Sequence, residues 1–220
     1  MKTQTISLGM LLLILLPAIS WCQSSDKKDK KDKNDYKLGI GIKGGLNFAN
    51  VTSVSAFKNG NQTGFMVGAF LAPPTKGIFS YYTEIDFSSQ GYSFETNTAT
   101  GSVHLNYLIV PQLMSIKITR FVLLQVGFQV AYLVSARADT ANASNVNGME
   151  ALGYYNRVDY GAAGGMEIHP FKGILIGGRY NMSFGDLYKQ PSTSSAGEPS
   201  FIPAVNVRNN VMQVYCGYKF

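Results

Sequence analysis

Charge is scarce in this sequence. Only 15% of its 220 residues are Asp, Glu, Lys or Arg, where a soluble globular domain carries about a quarter. Cysteine is nearly missing, with Cys22 and Cys216 alone, and histidine is limited to two residues. That leaves no His/Cys cluster for zinc, and the chain also lacks a regular Asp-rich calcium loop and a glycine loop opening a helix for nucleotides. No cofactor is expected. No apolar run reaches the roughly 20 residues that a membrane-crossing helix needs.

The formal charge of +6 invites a nucleic-acid reading, but its distribution removes it. Seven of the nineteen basic residues precede Leu38. From there onward twelve Lys and Arg face nine Asp and Glu, with no basic stripe interleaved with aromatics. Nucleic acid is excluded as a partner.

What the chain does have is apolar surface, glycine and two aromatic types. Hydrophobic residues make up 45%, and there are 23 glycines, 13 Tyr and 13 Phe against one Trp. Such a composition suits a sheet with one apolar face.

Residues 1–22 read as a signal peptide. Lys2 supplies the positive end, Leu8 to Leu16 an apolar core broken by Pro17, and Ser20 and Cys22 the small residues of a cleavage site. Trp21 is too bulky for the position before a lipidated cysteine, which disfavours a lipid anchor on Cys22. Cleavage there leaves Cys216 alone, so no disulfide can form within the mature chain. Residues 23–37 are a run of Lys and Asp without apolar periodicity, expected to be a disordered, solvated periplasmic tail.

From Leu38 to Phe220 the period is two. In Lys37–Ala49, Leu38, Ile40, Ile42, Leu46 and Phe48 share one face, and Lys43, Asn47 and three glycines the other. Phe121–Val134, Arg157–Ile168, Ile174–Gly185 and Met212–Phe220 repeat the pattern. Gly64–Ala72, Phe79–Ser88 and Val103–Lys117 bring the total to eight strands. In the last of these, Leu105, Tyr107 and Ile109 are assigned to the apolar face opposite His104 and Asn106. Most segments run about ten residues, the length of a tilted membrane strand.

Alternation alone also fits a soluble sandwich or a lipocalin-like barrel; the connections separate these readings. Links after strands two, four and six are short: Pro73–Gly77, Ile118–Arg120 and His169–Gly173. Those after strands one, three, five and seven are long and polar: Asn50–Thr63, Ser89–Gly101, Ser135–Tyr155 and Asp186–Val207. Short turns on one rim and long loops on the other characterise an antiparallel up-and-down barrel in the bacterial outer membrane, with both termini periplasmic. Phe48, Phe79, Tyr107, Phe121, Tyr132, Tyr180, Tyr218 and Phe220 fall on the assigned outer face, as two aromatic girdles require.

Several stretches resemble the outer-membrane β-barrel domain of Bacteroidetes, the family that includes the PorT-like proteins. They are Gly41-Ile42-Lys43-Gly44-Gly45-Leu46-Asn47, Tyr82-Thr83-Glu84-Ile85 with Ser89-Gln90-Gly91, and Leu105-Asn106-Tyr107-Leu108-Ile109-Val110-Pro111. Arg179-Tyr180-Asn181 and Gly217-Tyr218-Lys219-Phe220 complete the set. These are scaffold patterns covering residues 38–220, and they imply fold and location rather than activity. In outer-membrane barrels generally, a terminal Phe on an alternating strand is the address read by the barrel-assembly machinery. Tyr218 and Phe220 are expected to carry it here. Outer-membrane lipid and lipopolysaccharide are the expected surroundings, with an envelope protein as a further partner and a secretion complex as one setting.

The candidate lumen holds Lys43, Glu84, Asp86, Gln125, Gln129, Arg157, Asp159, Glu167 and Arg179. Eight strands leave an interior just wide enough for side chains to fill, so these charges must pair. Lys43, Glu84, Asp86, Asp159, Glu167 and Arg179 are the candidate network, read as a structural plug in preference to an ion or proton path. Two alternatives stand beside a non-enzymatic barrel that works through its external loops. One is a lipid-modifying enzyme at the outer rim, with His104 beside Ser102; the other is a soluble, lipocalin-like carrier.

Overall fold

A computed structural model describes residues 38–51, 58–75, 77–95, 100–140, 149–189 and 207–220. The proposed signal peptide and charged tail lie outside the described residues. The long strands are β1 (Gly39–Val51), β2 (Lys58–Ala72), β3 (Phe79–Glu95), β4 (Thr100–Lys117) and β5 (Val122–Thr140), then β7 (Val158–Phe171), β8 (Ile174–Ser183) and β9 (Asn209–Lys219). Between β5 and β7, β6 (Met149–Glu150) and a single 3₁₀ turn (Leu152–Tyr154) are added. Every pairing is antiparallel, each long strand joins its sequence neighbour, and β1–β9 closes the ring. The result is a closed eight-stranded up-and-down barrel, with β6 pairing on the extension of β5.

Alternation sorts side chains between wall and lumen as the pleat requires. Ile40, Ile42, Leu46 and Phe48 of β1 point out and are exposed, while Lys43 and Asn47 are buried inside. The same holds for Leu124, Val126 and Phe128 of β5 against Gln125 and Gln129, and for Ile176, Tyr180 and Met182 of β8 against Arg179 and Asn181. An outer wall of exposed Ile, Val, Phe, Met and Tyr around an interior that buries Lys43, Glu84, Asp86, Glu167 and Arg179 is a membrane barrel turned out to lipid. It argues against the lipocalin-like carrier, whose outer wall would be polar.

Glycine makes the narrow interior feasible. A Cβ on Gly45 would sit 2.1 Å from the Val214 carbonyl oxygen, so only glycine fits where β1 and β9 approach. The turn between β7 and β8 is just Lys172–Gly173, and Gly173 takes φ +87°, the left-handed conformation that glycine adopts at no steric cost. In the β4–β5 turn the Thr119 hydroxyl accepts from the backbone N–H groups of Phe121 and Val122, at 3.2 and 3.1 Å.

Three expectations are corrected. Strand β4 has the opposite polarity to that expected: Leu105, Tyr107 and Ile109 are buried in the lumen, while His104 faces out. The alternation holds, but period two cannot say which face is the lumen, and here the lumen is apolar near the long-link rim. Tyr107 therefore leaves the aromatic girdle. Second, the strands run further than their apolar faces. β1, β2, β3, β4 and β5 extend into the segments read as long loops. Backbone pairing continues past the lipid, where the outward face turns polar and the apolar signal stops. Third, Arg157 is not in the lumen: it precedes β7, is exposed, and donates to the Tyr132 hydroxyl at 3.3 Å.

Candidate functional site

The lumen is layered. At the short-turn rim, Phe70, Ala72, Tyr82, Leu113, Leu175 and Tyr215 form an apolar cluster with Met66 and Ala163. The charged cluster lies beside it. Arg179 on β8 donates to both carboxylate oxygens of Glu84 on β3, at 2.6 and 3.0 Å. Lys43 on β1 donates to Glu84 and stands 3.3 Å from Asp86. Arg179 also reaches Gln125 on β5 at 3.0 Å and the Tyr215 hydroxyl at 3.4 Å. That hydroxyl donates to Glu167 on β7 at 2.9 Å. Glu167 in turn lies 3.2 Å from His169 near the rim.

Lys43, Glu84, Asp86 and Arg179 are thus brought into direct contact, and Glu167 is joined through Tyr215. All five are at most 3% exposed. Asp159 is not part of this group. It accepts from the Ser183 hydroxyl at 2.5 Å and from the Tyr160 N–H at 2.8 Å. Charges this deep must be compensated, because an uncompensated buried ion costs several kcal/mol. The bidentate guanidinium–carboxylate pair is the geometry best suited to do so.

A neutral polar layer follows toward the long-link rim. Asn47 donates to the Ser88 hydroxyl at 2.8 Å and accepts from Gln213 at 3.0 Å. Asn209 donates to Gln90 at 2.5 Å. Above it the mouth is apolar, packed with Val103, Leu105, Tyr107, Leu133, Leu187 and Val207 among others. Three hydroxyls close this layer: Tyr92 bonds Tyr155 at 2.7 Å and also bonds Tyr188. The Tyr155 and Tyr188 rings stack at 5.1 Å. Both come from the links flanking β7 and β8, pinned by a bridge between them and by Asn156, whose amide donates to the carbonyls of Asp186 and Tyr188. Burial pushes the Tyr188 phenol up to about 12 and raises that of Tyr155 further.

Sequence reasoning missed Tyr215, Tyr92, Tyr155 and Tyr188. Strand parity had put Tyr215 on the inner face, and a phenol among lumen charges is a natural bridging donor. The other three lie in stretches read as loop. His104 sits on the outer wall, 3.1 Å from the Gln62 amide and 3.7 Å from Asp139. Among the described residues, no group of three or more His, Cys, Asp or Glu is placed to hold a metal ion.

Residues 23–189 match the family described as "Outer membrane protein beta-barrel domain". Solved structures similar to the chain include Ail, the attachment invasion locus protein of Yersinia pestis. It is 13% identical over 84% of this chain and 99% of that one, with a TM-score of 0.48. OprG of Pseudomonas aeruginosa is 13% identical over 84% and 97%, at 0.47. Neisserial surface protein A is 12% identical over 82% and 97%, also at 0.47. No curated protein matches the chain.

Proposed function

The chain belongs to the outer membrane protein beta-barrel domain family, and from that premise we propose that it is a non-enzymatic, non-conducting barrel that holds a binding surface at its long-link rim. The observation that carries the reading is the lumen. A guanidinium–carboxylate cluster spans it at one level, and tyrosines fill it at another. Side chains that interlock across the full width leave the barrel as a scaffold rather than a pore. The work then falls to the links at the mouth and to the outer wall.

In this reading both termini are periplasmic, since β1 and β9 begin and end at the short-turn rim. Residues 1–22 would direct export, and Tyr218 with Phe220, whose rings meet edge to face at 5.3 Å, would present the address for the barrel-assembly machinery. The Bacteroidetes, PorT-like resemblance bears on fold and location; an envelope partner, with a secretion complex as one setting, enters only as part of this proposal. The position of His104 favours no hydrolase, because its nearest partners on the outer wall are an amide and a carboxylate.

Planar-bilayer recording tests the closed lumen. The reading predicts no discrete conductance steps above the bare bilayer for the folded protein. Stable unitary channels would overturn it.

A further inference from the structure

The outer wall changes character at one level on three neighbouring strands. Outward residues of β3 include Phe79, Tyr81, Ile85 and Phe87, with Thr83 among them bonded to Gln112 of β4 at 3.1 Å, then Ser89 and Ser93. On β4 they run from Ile116 and Met114 to Leu108, then Asn106 and His104. On β5 they run from Val122 to Tyr132 and Val134, then Arg137 and Asp139. Register pairs Phe87 with Leu108 and Leu108 with Tyr132, then His104 with Arg137, so the boundary is shared.

Arg137 faces out because of one residue. The β4–β5 register shifts between Asn106, paired with Ser135, and Tyr107, paired with Leu133, which leaves Val134 as a bulge. Below it even-numbered residues of β5 face out; above it odd-numbered ones do. Without the bulge Arg137 and Asp139 would enter the apolar mouth, and Ala136 and Ala138 would face solvent. Bulges of this kind re-aim side chains and are enriched beside functional sites.

A cleft of about 530 Å³ opens at this boundary. Phe65 and Phe87, with ring centroids 6.1 Å apart, form its apolar side. Ser89, Asn106, His104 and Arg137 supply donors, and Asp139 is its acid, engaged with His104 at 3.7 Å. Among the described residues Arg137 forms no ion pair, although Glu150 of β6 is its register partner. A guanidinium without an ion pair among the described residues, beside amide, hydroxyl and imidazole donors, fits a phosphate. The phenylalanines on the lipid side fit the acyl chains attached to one.

We infer that this cleft is a binding site for the phosphorylated headgroup of an outer-leaflet glycolipid. Arg137 engages the phosphate, while Phe65 and Phe87 support the first acyl methylenes. The inference rests on the membrane reading above, which puts the long-link rim at the outer leaflet. It deepens that reading by naming a ligand for the wall.

The test uses the full chain folded in dodecyl maltoside, with bound lipid counted by native mass spectrometry. The probes are bisphosphorylated lipid A, the same lipid with its phosphates removed, and phosphatidylglycerol. The expected result is retention of lipid A over both others, with Arg137→Ala weakening it roughly tenfold or more, as loss of a charge-assisted hydrogen bond predicts. Arg137→Lys should retain part of the affinity, and Lys172→Ala at the opposite rim all of it. Unchanged binding in Arg137→Ala overturns the proposal, as does equal binding of the dephosphorylated lipid or of phosphatidylglycerol. Each variant is first checked for heat-dependent gel mobility. Absence of that shift in the unmodified protein would sink the barrel reading itself, a different failure from a folded barrel indifferent to phosphate.

Discussion

Arg179 and Glu84 lie 95 residues apart in the chain and face each other across the barrel, joined by two hydrogen bonds of 2.6 and 3.0 Å. β8 and β3 stand four strands apart whichever way the ring is counted. The pair is therefore a strut across the full width of the lumen, and it can form only when the sheet has closed.

Removing one end of the strut should be costly. Arg179→Ala leaves Glu84 with Lys43 alone and should destabilise the folded barrel by about 3–5 kcal/mol, as broken buried pairs do. Urea unfolding in detergent micelles measures it. The double variant Arg179→Met with Glu84→Gln removes both charges and should recover most of the loss. If the single variant unfolds like the parent, the strut contributes nothing. Discrete conductance in a folded Arg179→Ala barrel would show that the charges, rather than the whole packing, close the lumen.

The outer wall gives a depth-dependent prediction. Phe128 lies midway along the outward apolar face of β5, whereas Ser93 lies above the boundary on β3. Phe128→Arg should cost about 2–4 kcal/mol in a lipid bilayer and Ser93→Arg about 0–1. Equal costs at the two positions would mean that lipid does not cover the wall where the apolar band is.

The mouth should respond to alkali. The Tyr188 phenol has its folded value raised by burial from an ordinary 10 to about 12. Stability from the neutral buried phenol is complete below about pH 10 and is lost as pH rises toward 12. Ultraviolet titration of tyrosinate should show a delayed fraction between those values that advances on unfolding. Tyr188→Phe should shrink that fraction; a titration with all tyrosines ionising together near 10 would contradict the buried cluster.

Gly45 tests the close approach of β1 and β9. Gly45→Val drives a branched side chain into the Val214 carbonyl, 2.1 Å from where its Cβ must stand. Folding yield in detergent should fall sharply. Gly44→Val on the outward face, where a Cβ meets only the Met66 carbonyl at 3.6 Å, should fold normally. Similar yields for the two variants would contradict the pleat assignment of β1.

Much of the barrel was legible in the sequence because the pleat is read by lipid on one side. On β1, β5, β7, β8 and β9 the outward face is apolar and the inner face polar or small, so period and polarity agree. On β4 they disagree. Leu105, Tyr107 and Ile109 fill the mouth, and an apolar lumen looks to the sequence like a lipid face. The strands outrun their expected ends for a related reason: outward Ser89 and Arg137 carry no hydrophobic signal, though the ladder continues. The charged cluster could be listed by parity, and Lys43, Glu84, Asp86 and Arg179 do meet. Its connectivity could not, since contacts across a ring depend on strand order and stagger. The bulge at Val134, which decides where Arg137 points, leaves no trace in composition.

The central claim is a closed barrel in the outer membrane, and one gel tests it most directly. Cells expressing the full chain are fractionated, and outer-membrane and soluble periplasmic fractions are run with and without boiling. The account predicts that the protein pellets with the outer membrane and that its unboiled band migrates faster than the boiled one, because a closed barrel resists detergent. A soluble periplasmic protein with one band in both lanes would contradict it.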